Sequence, residues 1–129
     1  MTSAQQALAQ YARVNTVSSV EDASPHRLIQ LLLDGALERI AVARRALESG
    51  QVAARGTAIG KTVDIVSALR SSLNFEAGGE VAANLEALYD YVERRLLQAN
   101  LEASEAMLDE CARLLHEVKE GWDGIGQAA

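Results

Sequence analysis

Two histidines, His26 and His116, one cysteine, Cys111, and eighteen carboxylates are the groups in this 129-residue chain with enough chemistry to support catalysis or metal binding. A di-metal centre in a helical bundle needs Glu-x-x-His pairs aimed inward. Three residues before His26 stands Ala23, and three before His116 stands Arg113, so neither histidine has that partner. A single cysteine cannot close an internal disulfide, and Cys111 falls on the apolar side of a predicted helix, where a small inert thiol is the default. No glycine-rich loop follows a strand, and no nucleophile elbow, metal-ligand spacing or cofactor motif occurs. The carboxylates lie mainly on polar helix faces as solvated charges. These patterns argue for a protein that is not an enzyme and carries no metal or cofactor.

The segment from His116 to Lys119 is similar to the surroundings of the phospho-accepting histidine in phosphotransfer domains, which are four-helix bundles of this size. His116 points away from the apolar face, as an acceptor must. It lies near the end of the last helix, however, and Gly121 follows one residue too late for an HxxKG pattern. A histidine phosphotransfer domain using His116 is therefore the runner-up reading. His26, in a first helical turn beside Pro25, reads as a polar residue of the capping region.

The elements that would position these residues are helical. Aromatics are 4% of the chain, proline occurs once and 49% is hydrophobic, a composition rich in Ala, Leu, Glu and Arg that suits helices. Ser24 caps a helix with Pro25 at its first position, and this helix runs to Ser49 before a C′ glycine, Gly50. A second covers about 52–74, weakened by Gly56 and Gly60, and Gly78-Gly79 make the next break. A third covers about 80–101, and a fourth, capped by Ser104, runs to about Trp122. Connections of a few residues between long helices give antiparallel neighbours. The expected fold is an all-α, antiparallel up-and-down four-helix bundle over 24–122, with residues 1–23 as a cap segment and 123–129 as a flexible tail.

Net charge is −6, so the field of the molecule repels phosphate backbones and anionic lipid, which argues against nucleic acid as a partner. The start, MTSAQQALAQ, has neither a basic stretch nor an apolar one, and no apolar run nears the ~20 residues of a membrane span. A soluble, cytoplasmic protein without membrane insertion is expected.

The apolar faces are wider than a bundle needs. The predicted fourth helix has one narrow stripe from Met107 to Trp122. The first has a broad face from Leu28 to Leu47, extended sideways by Leu31, Gly35, Val42 and Ala46. In the second, Ile65 and Ala68 widen a face built on Ile59, Val63, Val66, Leu69 and Leu73. In the third, Tyr91 and Leu97 fall off the stripe of Leu85, Leu88, Val92, Leu96 and Ala99. One core-facing arc of about 100° suffices for a bundle helix. The surplus fits a helix buried on two sides, a weak homodimer, or a groove for an apolar partner segment.

The same residues carry a resemblance over nearly the whole chain. YARVNTVSSVEDASPHRLI, LIQLLLDGAL, GGEVAANLEALYDYVERRLLQAN and the late Trp122 resemble the flagellin export chaperone family (FliS), whose third motif reads GGxIAxNLxxLYDYMxRRLxxAN. The resemblance implies a cytoplasmic helical bundle that binds the C-terminal segment of flagellin, disordered in the monomer, and blocks premature polymerisation. It also implies delivery of that cargo to the cytoplasmic domain of the flagellar export gate. On this basis Tyr91, Leu97, Leu31, Val42 and Ile65 are candidate flagellin contacts. Leu8 and Tyr11 match family positions in or near the groove. Leu33 stands where many members have tyrosine, which removes a hydroxyl from a possible contact. Tyr89 is nearer the core arc, and Arg94 and Arg95 are expected to pair with Asp90 or Glu86.

Overall fold

A computed structural model describes residues 24–128, with side chains through Ile125. Four helices follow one another, α1 (Pro25–Glu48), α2 (Val52–Ser71), α3 (Phe75–Glu102) and α4 (Glu105–Ala128). The Ser24 hydroxyl accepts the Arg27 amide at 3.1 Å, closing the predicted N-cap, and Gly50 leaves α1 at a φ of 70°. Ser104 caps α4 by accepting the Met107 amide at 3.2 Å.

Cross-helix pairs define the directions. Arg55 reaches Asn100 while Arg70 reaches Glu86, so α2 and α3 run antiparallel. Gln30 bonds Asp123, Asp34 pairs with Lys119 and Arg44 with Glu105, so α1 and α4 do too. With α1 on α2 and α3 on α4, the helices pack as a ring of four around one core. This is the expected antiparallel bundle.

The core draws on every helix, from Leu28, Leu32 and Ile40 through Ile59, Val66 and Leu69, then Tyr89, Val92 and Leu96, to Leu108, Cys111 and Leu115. The widened face of α1 is largely consumed here. Gly35 and Ala46 are buried, and Leu33 is fully buried within the core. Leu33 itself therefore offers no surface to a partner.

Three boundaries differ from the sequence expectation. Helix α2 stops at Ser71, because Asn74 is already the N-cap of α3, its side chain accepting the Ala77 amide at 3.0 Å. Helix α3 therefore opens one turn early at Phe75 and kinks at Gly79, whose φ of 50° and ψ of −122° are not helical. The glycine pair marks a bend inside α3 and not a loop before it. Helix α4 continues through Gly121 and Gly124 to Ala128, where a tail after Trp122 was expected. The i→i+4 pair Lys119–Asp123, at 2.9 Å, bridges Gly121, and the Asp123 carboxylate accepts from Gln30 of α1 at 2.7 Å.

Candidate functional site

At the end of the bundle where α1 and α3 begin and α2 and α4 finish, the four helices leave a cleft of about 340 Å³. Ile29 contributes from α1, Leu69 from the end of α2, and Leu73 and Asn74 from the connection. Val81, Leu85 and Tyr89 line it from α3, and Val118 and Trp122 from α4. Its shape follows from local sequence. The Asn74 cap and the Gly79 bend fold the first turn of α3 back, and Gly78 allows that turn to close on Ala82, where a Cβ would stand 3.0 Å from the Ala82 Cβ.

Trp122 is held from both sides of its indole. Its Nε1 donates to the His26 carbonyl at 2.9 Å, and its ring stacks on the His26 imidazole with centroids 4.8 Å apart and planes 12° apart. This clasp joins the first turn of α1 to α4 and fixes one wall of the cleft.

The cleft has few groups able to do chemistry. The Ser72 hydroxyl is spent on the Leu69 carbonyl at 2.7 Å, and the Asn74 side chain on its capping bond. Tyr89 is 3% exposed, and burial pushes its hydroxyl up to about 12, which keeps it protonated. A cleft lined mainly by apolar side chains, with the Ser72 hydroxyl and the Asn74 side-chain oxygen engaged, suits binding of apolar side chains.

The residues singled out from the sequence lie elsewhere, and none of the described ones lines the cleft. Leu31 and Val42 are half-buried against the core. Ile65, 6% exposed, belongs to the core itself. Leu97 is 57% exposed on the outer side of α3, one turn from Leu101 at 87%. Tyr91 turns toward α4, where its hydroxyl donates to Glu110 at 2.7 Å beside Arg95, which donates to the same carboxylate at 2.6 Å. Arg95, and then the Tyr91 hydroxyl, hold Glu110 below the usual carboxylate range. Leu8 and Tyr11 fall outside the described residues.

Arg94 pairs with Asp90 at 3.1 Å, as spacing suggested, whereas Arg95 crosses to α4. His116 is exposed and contacts Glu120 at 2.9 Å. Leu73, Val81 and Trp122 are cleft residues that helical periodicity did not single out as a site. The only tryptophan of an aromatic-poor chain, and an apolar residue just after a Gly-Gly pair, were the available signals.

Among the described residues no helix is long and apolar enough to cross a membrane, and no group of His, Cys, Asp and Glu is placed to hold a metal. Fold and cleft together define an antiparallel four-helix bundle with an apolar cleft at one end. A family model described as flagellar protein FliS matches residues 6–129, and the chain belongs to that family. It is 50% identical over 122 residues to the flagellar secretion chaperone FliSB of Pseudomonas aeruginosa, covering 95% of this chain and 97% of that protein. The flagellar secretion chaperone FliS of Salmonella typhimurium is 45% identical over 120 residues, 92% of this chain and 89% of its own. That of Vibrio cholerae is 38% identical over 115 residues, 89% and 85%.

Proposed function

We propose that this protein is a cytoplasmic chaperone for flagellin, holding its C-terminal segment until export and delivering it to the cytoplasmic domain of the export gate. Relatives named as flagellar secretion chaperones support the class of cargo and a non-enzymatic role. The observation that carries the reading is apolar surface left outside the core, namely the end cleft, with Val81 exposed at it, and the outer side of α3 at Leu97 and Leu101. Patches of this kind mark interaction sites in soluble proteins. Burying half a dozen such side chains at about 1.5–3 kcal/mol each supplies roughly 10 kcal/mol in gross terms. Ordering a disordered partner costs several kcal/mol of that, which suits a binder that must later release its cargo.

Isothermal titration with flagellin from the same organism, beside flagellin lacking its C-terminal segment, tests this. Saturable one-to-one binding that disappears with the truncation is expected. Equal binding of both proteins, or none by the folded, monomeric chaperone, would remove flagellin's C-terminal segment as the cargo. In the same assay a Leu8→Ala/Tyr11→Ala variant separates two roles for the N-terminal segment. Weaker binding means direct contact with cargo, and tighter binding means a competing lid.

A further inference from the structure

The charge around the end cleft is uneven. Two cations neighbour its lining residues in the chain, and both are engaged. Arg70, beside Leu69, is held by Glu86, Asp90 and Glu93 at 3.6, 3.4 and 3.2 Å. Lys119, beside Val118, is held by Asp34 and Asp123 at 3.5 and 2.9 Å. Glu76 and Glu80, beside the lining residues Ala77 and Val81, are exposed and form no ion pair among the described residues. Among the described residues, both carboxylates are therefore without an ion-pair partner, each adjacent in the chain to a residue that lines the cleft. Val81, one of its lining residues, remains 66% exposed.

We infer that the cleft seats apolar side chains of flagellin's C-terminal segment at a point where that segment also carries lysine or arginine, which pairs with Glu76 and Glu80. The inference rests on the flagellin reading above and names the chemistry that part of the cargo must present. A volume of about 340 Å³ takes a few side chains and not a whole helix, so the cleft is an anchor point within a longer contact. Its apolar lining supplies affinity without direction. The two carboxylates favour one orientation of the incoming segment and repel an acidic one, a contribution that salt screens.

Trp122 makes the inference testable at the site itself, because it lines the cleft and is the only tryptophan in the chain. Titration with the organism's flagellin is followed by calorimetry and by Trp122 emission, with a Trp122→Phe variant supplying the background. Saturating flagellin is expected to change Trp122 emission with the calorimetric midpoint. A Glu76→Lys/Glu80→Lys variant is expected to weaken binding several-fold, up to about tenfold, at low salt, with the difference shrinking at high salt. Val81→Ser is expected to weaken it at both. All three substituted positions are exposed, so the variants should fold, which helix content by circular dichroism checks.

Flagellin that binds calorimetrically but leaves Trp122 silent would overturn this inference while sparing the flagellin reading. Binding in the cleft that is indifferent to the charge reversal at low salt would overturn the basic flank. Trp122 emission that changes with chaperone concentration alone would assign the cleft to a second copy and overturn the inference. Absence of any flagellin binding would remove both readings.

Discussion

Tyr89 and Tyr91 are two residues apart in the sequence, and the bundle gives them opposite roles. Tyr89 is buried among Val92, Leu69 and their neighbours, whereas Tyr91 lies at the surface and bonds a carboxylate of α4. Tyr89→Ala leaves a cavity in the core and is expected to cost about 3–5 kcal/mol in urea unfolding, the range for truncating a buried aromatic. Tyr91→Phe, which removes only an exposed hydrogen bond, should leave the unfolding midpoint nearly where it was. An unchanged midpoint for Tyr89→Ala would mean that the side chain is not in the core.

Burial pushes the Tyr89 hydroxyl from 10.0 and the Cys111 thiol from 9.0 up to about 12 each. Both groups are neutral when protonated, so the folded state holds protons that the unfolded state gives up at lower pH. Their contribution is complete below about pH 9, falls as the unfolded thiol and then the unfolded phenol ionise, and is lost toward pH 12. Urea midpoints between pH 8 and 11 should decline, and Cys111→Ala should flatten the part of the decline that begins near pH 9. A midpoint that rises through this range would contradict the sign.

At the scale of elements, the bend in α3 separates a capped first turn from the long helix that follows. A φ of 50° with a ψ of −122° at Gly79 is open to glycine and strained for any other residue. Gly79→Ala is expected to cost about 1–3 kcal/mol by urea unfolding. It should also disturb the end cleft, which the first turn of α3 helps to wall. If stability and Trp122 emission were both unchanged, the bend would not be what shapes that end. The continuation of α4 past Trp122 shows a different balance. Gly121 and Gly124 weaken an isolated helix, but Lys119 and Gln30 engage Asp123 and outweigh that tendency.

For the whole molecule, the unburied apolar surface raises the choice between a partner and a second copy. Leu97 and Leu101, on the outer side of α3, are the most exposed large aliphatics of its second half. If they form a homodimer seam, sedimentation velocity should show mass rising with concentration, and Leu97→Ser/Leu101→Ser should abolish the rise without altering the melting temperature. A monomer at every concentration, with flagellin binding weakened by the same substitutions, assigns the patch to cargo.

Helix number, order and antiparallel packing were legible in the sequence, because amphipathic stripes, Ser24 and Ser104 caps and short connections are local signals that all agree. The family was legible as well, carried by long motifs such as NLEALYDYVERRLLQAN. The assignment of surplus apolar residues to core or surface was not. Ile65 and Leu97 both lie off the main stripes of their helices, yet one is in the core and the other faces outward. Helical periodicity gives an angle about one axis, while burial depends on which neighbouring helix stands at that angle. The cleft was hidden for the same reason. It combines residues from four helix ends, and only tertiary packing decides where four ends fail to fill the space between them.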